Sequence, residues 1–211
     1  MIIISHRGYW KKDEEKNTRE AFSRSFALGF GTETDVRDYN EKLVISHDIA
    51  TNHVMGFADF LSLASVDSVC GSLILALNIK ADGLAEEIKK SLDQYSYLSA
   101  FVFDMSVPDM RSYFDIGIPV FTRISEIEQE PVWLEQSEGV WLDAFTSNWF
   151  DNSVIERFLK KNKRVSIVSS ELHHRDHLVL WEQIKSLRNE KNLLLCTDYP
   201  EEARNFFEVE E

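Results

Sequence analysis

The segment GTETDVRDYNEKLVISHD, residues 31–48, sets two acids two positions apart and closes on a histidine–aspartate pair. Its first part, Gly31 to Val36, reads as a strand. Successive strand side chains point to opposite faces, so Glu33 and Asp35 share one face. The run LVISH (43–47) follows too closely to be a further parallel strand. It reads as a short β excursion in the loop after that strand, one that ends on His47 and Asp48.

Seven more short apolar runs recur along the chain: IIIS (2–5), LILALNIK (73–80), SAFVFDM (99–105), IPVFTRI (118–124), GVWLDAF (139–145), RVSIVS (164–169) and NLLLCTD (192–198). Their length and their Val, Ile, Leu and Phe content suit buried parallel strands. Amphipathic segments alternate with them. Thr18 to Leu28 carries Ala21, Phe22, Ser25 and Phe26 on one stripe, with Asn17 or Thr18 as cap. Asp82 to Tyr95, Asn152 to Lys161, Arg175 to Leu187 and Pro200 to Phe207 read as helices too, with Pro200 suited to a first turn. Eight strands alternating with helices predict an α/β fold, and the count favours a (β/α)8 TIM barrel over an open doubly wound sheet. A doubly wound sheet would show a Gly-rich phosphate turn after the first strand, and SHRGYW is no such turn.

The 211 residues suit a single domain, 1–211, and neither long linkers nor low-complexity tracts divide it. A net charge of -13 argues against a broad nucleic-acid face or an anionic membrane surface, but not against a small anion in a locally positive pocket. No run approaches the ~20 apolar residues of a membrane span. The N-terminal apolar run is too short for a signal peptide. The two cysteines, Cys70 and Cys196, read as buried free thiols. These features lead to the expectation of a cytoplasmic protein without stable membrane insertion.

Barrels of this kind gather their chemistry at the C-terminal ends of the strands. There the sequence places His6 and Arg7 after the first strand, Glu33 and Asp35 on the second, and Asn78 and Lys80 on the third. Two adjacent carboxylates need a neutralising partner. A divalent cation with oxygen ligands, Mg²⁺ or Ca²⁺, is one solution; Lys80 and Arg7 are another. His6 and His47 can move protons near neutral pH, and Arg7 can fork onto an oxyanion. A metal, an anion site and two histidines suggest phosphoryl chemistry. The paired acids also evoke a glycoside hydrolase, but two acids on one strand are too close to flank a sugar ring.

The pattern His6-Arg7-Gly8, Asn17-Thr18 with Ala21-Phe22, Gly29, Glu33-Thr34-Asp35-Val36 and His47-Asp48 resembles the N-terminal signature of the glycerophosphodiester phosphodiesterases, and TDYPEEA (197–203) resembles their last strand and helix. That resemblance implies a (β/α)8 barrel that hydrolyses a small glycerophosphodiester-type ester to an alcohol and a phosphomonoester. It implies His6 and His47 as general base and acid, Glu33 and Asp35 on a divalent cation, Mg²⁺ or Ca²⁺, and Arg7 and Lys80 on the phosphate. Family members commonly carry a third metal-binding Glu where this chain has Asn78; its amide oxygen can still ligate, with one negative charge fewer. A phosphate-binding barrel with weakened or lost catalysis is the alternative reading. Trp141 is a candidate to stack on a substrate group, with core packing as the alternative. Glu171-Leu172-His173-His174-Arg175 reads mainly as a helix start.

Overall fold

The computed structural model describes residues 1–67 and 73–208, with side chains from 65 to 67 left aside, so Cys70 lies outside the described residues. Two compact units divide the chain, one of residues 5–120 and one of residues 1–4 with 121–211.

The first unit follows from the end of β1 (Ile2–His6) through α1 (Arg19–Ala27), β2 (Gly31–Tyr39), β3 (Lys42–Ile45), β4 (Met55–Gly56), α2 (Phe57–Asp67), β5 (Ile74–Ile79), α3 (Ala85–Leu92) and β6 (Ser99–Phe103) to α4 (Val107–Asp115). β2 pairs in parallel with β5 and β5 with β6, and Val102 bridges in parallel to Val120. The side chain of Thr18 caps α1 by accepting from Ala21 N, and the predicted stripe of Ala21, Phe22, Ser25 and Phe26 is buried. Phe22 meets Phe60 of α2 edge-on with centroids 4.7 Å apart, and both join a core with Leu75, Leu77 and Val102. Burying each such aromatic or aliphatic side chain contributes roughly 1.5–3 kcal/mol.

β2 changes character along its length. Residues 31–36 are buried, and from Arg37 onward the strand emerges. There it turns back into β3 as an antiparallel hairpin with Tyr39 opposite Lys42. The two turn residues, Asn40 and Glu41, have φ of 48° and 63°. Positive φ at both centres marks the type I′ loop whose twist matches that of flanking strands. The excursion expected after β2 is this hairpin.

The second unit holds the start of β1, then β7 (Phe121–Ile124), β8 (Gly139–Leu142), α5 (Asn152–Leu159), β9 (Arg164–Val168), α6 (His177–Ile184), β10 (Leu193–Thr197) and α7 (Pro200–Glu208). β7, β8, β9 and β10 run parallel in that order. Its core gathers Val140, Leu142, Ile155, Ile167, Trp181 and Leu195, among others. Cys196 is a buried free thiol, as expected.

Two details depart from the sequence reading. β8 ends at Leu142, short of the predicted run to Phe145, where Asp143 Oδ1 accepts the N–H of Ala144 at 2.8 Å. The 3₁₀ turn Ser170–His173 does not run on into a helix: His174 takes φ 57°, and α6 starts afresh behind Asp176, whose carboxylate accepts from Leu178 N. In a single residue, the left-handed backbone breaks the helical path.

Candidate active site

The chain leaves β1 through Arg7 and Gly8, both left-handed with φ of 55° and 82°. Gly8 is required there, because a Cβ would stand 2.8 Å from the carbonyl carbon and the Cβ of Ala21. This tight turn points Arg7 N at the Glu33 carbonyl (3.0 Å) and at Glu33 Oε2 (3.2 Å). Gly8 N donates to Thr32 Oγ1 at 2.9 Å. The turn is thereby tied to β2, and its side chains project beside the two acids.

Glu33 and Asp35 are almost wholly inaccessible, at 2% and 0% exposure. Arg7 Nε lies 3.1 Å from Asp35 Oδ2 and Lys80 Nζ lies 3.3 Å from Asp35 Oδ1. His6 Nε2 is 3.9 Å from Glu33 Oε2. Burial, with the Asp35 carboxylate second, pushes Glu33 up to about 7 against the opposing pull of His6, Arg7 and Lys80. The ion pairs of Arg7 and Lys80 fall on Asp35.

Asn78 stands opposite Asp35 across the parallel β2–β5 pair. Its Oδ1 is buried and makes no hydrogen bond, and Asp35 Oδ1, although near Lys80, also lacks one of proper geometry. Buried acceptors without donors are costly and call for a partner. Two carboxylates and an amide oxygen form an all-oxygen set of the kind hard divalent cations take, so the residues present fit such an ion. Among the described residues, no group of three or more His, Cys, Asp or Glu could hold a metal; the third donor at this place is an amide.

His47 arrives by a different route. Ser46 N donates to the Asp35 carbonyl at 3.0 Å, which fixes the end of β3 beside the acid. The imidazole is 44% exposed, and its Nδ1 lies 2.9 Å from Asp48 Oδ1. That hydrogen bond, with the charge of His47 behind it, holds Asp48 below the usual carboxylate range, and Arg7 and Arg37 lower it further. The structure thus gathers His6, Arg7, Glu33, Asp35, Asn78 and Lys80 into one cluster and anchors the His47 backbone next to it, with the His47 ring outward on Asp48. Trp141 belongs to the second compact unit, is 4% exposed, and lies between Arg123 and Ser166 in the β8 register.

Similarity to solved structures reaches across nearly the whole chain. A glycerophosphodiester phosphodiesterase from Thermotoga maritima matches with a TM-score of 0.66 at 16% identity, covering 97% of this chain and 98% of its own. One from Agrobacterium tumefaciens matches with 0.66 at 14% identity, covering 98% and 97%. The fold is that of the glycerophosphodiester phosphodiesterases. A Ca²⁺-dependent phosphatidylinositol-specific phospholipase C from Streptomyces antibioticus also matches, with a TM-score of 0.57, 11% identity and coverage of 98% and 95%. No protein-family model matches the sequence, and no curated protein does. The (β/α)8 class expected from the alternating runs is the class of this glycerophosphodiester phosphodiesterase fold. Among the described residues no helix is long and apolar enough to cross a membrane.

Two polar arrangements escaped the sequence reading. Asn17, read there as a candidate helix cap and as part of the signature pattern, donates through Nδ2 to Asp35 Oδ2 at 2.8 Å and accepts from Thr34 Oγ1 at 2.9 Å. Its signal was a left-handed-tolerant residue just before the Thr18 cap. In the second unit, His173 Nε2 lies 2.7 Å from the buried Asp143 Oδ1, and Phe145 packs edge-on against the ring at 4.9 Å. Nothing local in the sequence links residues 143 and 173; only the neighbouring ends of β8 and β9 do.

Proposed function

We propose that this protein is a divalent-cation-dependent phosphodiesterase that hydrolyses small glycerophosphodiester-type esters. The observation that carries this reading is the single cluster in which Arg7 and Lys80 flank buried acids beside the unsatisfied amide oxygen of Asn78.

Glu33, Asp35 and Asn78 would hold Mg²⁺ or Ca²⁺. When bound, such an ion polarises the nonbridging phosphoryl oxygens and lowers the pKa of a nearby hydroxyl. Arg7 and Lys80 bring two fixed cations to the same place, which orients an anionic phosphodiester through charge-assisted hydrogen bonds. One of the two histidines, His6 or His47, accepts the proton of the attacking hydroxyl, and the other donates a proton to the departing alcohol oxygen. With a hydroxyl adjacent to the ester as nucleophile, the product is a cyclic phosphate. In the second step the roles reverse: a water proton passes to one imidazole, the ring oxygen takes a proton from the other, and a phosphomonoester remains.

A second reading is favoured by the amide at position 78: a barrel that holds a phosphate ligand with weakened or no hydrolysis. Hydrolysis of glycerophosphocholine with added Mg²⁺ or Ca²⁺, repeated with chelator and with His6→Ala, separates the two. Cation-stimulated turnover that falls by about 10²–10⁴ in His6→Ala supports catalysis. A rate indifferent to both chelator and mutation eliminates it, and glycerol phosphate binding without turnover supports the second reading.

A further inference from the structure

Asp35 has two oxygens with different surroundings. Oδ2 receives the Asn17 amide at 2.8 Å and faces Arg7 Nε at 3.1 Å. Oδ1 is buried, sits 3.3 Å from Lys80 Nζ, and makes no hydrogen bond. We infer that Asn17 is a positioning residue that assigns these roles, holding Oδ2 on the scaffold so that Oδ1 is the oxygen presented to the cation. This inference rests on the cation-site reading given above.

The direction of the Asn17 amide is set by its partners. A carboxylate of Asp35 can only accept, so the amide must turn Nδ2 toward it. Asn17 Oδ1 then accepts from Thr34 Oγ1 at 2.9 Å, and Thr34 is itself fully buried in β2. The relay Thr34 to Asn17 to Asp35 thus runs from one β2 residue to the next through a side chain of another segment. A flip of the amide would break both bonds, and a rotation of the carboxylate would break one.

The backbone serves the same end. Asn17 takes φ 60°, a conformation that suits Asn and Gly, and its N–H donates to the Arg7 carbonyl at 2.9 Å. The residue therefore clamps the Arg7 turn with its main chain and the Asp35 carboxylate with its side chain. Thr18, one position on, does the helix capping. Asn17 is left for the site.

Asn17→Gly keeps the left-handed backbone and the bond to Arg7 but deletes the amide. Thr34→Val deletes only the hydroxyl that orients it. Mn²⁺ binding to the full chain, followed by the loss of the free-ion electron paramagnetic resonance signal, is measured beside the melting temperature in chelator. Outer partners of metal ligands are worth about 10–100-fold in affinity. The expected result is a weakening in that range for Asn17→Gly and a smaller one in the same direction for Thr34→Val, with melting temperatures in chelator close to that of the wild type. Wild-type affinity in Asn17→Gly overturns the inference, as does a loss that only follows a fall in melting temperature. A wild-type chain that takes up no Mn²⁺ overturns the cation-site reading and this inference with it.

Discussion

Asp35 on β2 and Asn78 on β5 face one another across a parallel strand pair. Neighbouring strands lie about 4.8 Å apart, so a carboxylate and an amide oxygen at this register can share one ion. Asn78→Glu would restore a third negative donor. Affinity for Mg²⁺ or Ca²⁺, measured by calorimetry, is expected to rise about tenfold, roughly 1.4 kcal/mol. Unchanged or weaker binding would show that Asn78 does not face the ion.

Glu33 supplies a pH signature. In chelator its folded pKa is about 7 against an ordinary 4.5, raised first by burial. A raised carboxylate pKa means the folded state holds the proton more tightly. The resulting stabilisation is complete below about pH 4.5 and is lost as pH rises through about 7, by an amount on the order of a few kcal/mol. Denaturant midpoints should therefore decline between pH 5 and 8, and the decline should flatten in Glu33→Gln. A pH-independent midpoint in both proteins would count against a raised Glu33 pKa in the folded state.

The turn after β1 gives a stability prediction. Gly8→Ala meets both a φ of 82° and a 2.8 Å contact with the α1 backbone. Strain and overlap together should cost about 3 kcal/mol, read from urea unfolding. A loss below about 1 kcal/mol would show that the turn relaxes readily.

Glu126 makes the opposite pH case in the second unit. Partial burial opposes its ionisation, yet it accepts from Thr146 N, Thr146 Oγ1 and Phe145 N and is held down at about 2. A depressed carboxylate stabilises fully above about 4.5, and that contribution disappears as pH falls through 2. Glu126→Gln should be less stable than wild type at pH 7, with the two curves converging near pH 2. A gap of constant size across that range would rule out a charge-dependent anchor.

Much of the site was legible because its residues are close in sequence and obey short periods. Glu33 and Asp35 follow the strand repeat, and Asn78 and Lys80 repeat it on the adjacent strand. His47 follows a hairpin whose Asn40-Glu41 turn lies inside the same eighteen residues as the acids. The helix α2 had no such signal: FADFLSLASVD is apolar on most sides, so its 3.6-residue period is faint. α4 opens on Val107-Pro108, which suggests a loop until Ser106 is seen to cap it through Asp109 N. The Asn17–Asp35 and Asp143–His173 bonds join chain segments that no local pattern connects.

Every donor, cation and imidazole proposed for the phosphodiester reaction comes from one uninterrupted run, His6 to Lys80. A single gene-segment exchange can therefore transplant the entire set between homologous barrels. Libraries confined to residues 121–211 can reshape the remaining surface without rewriting one of those side chains.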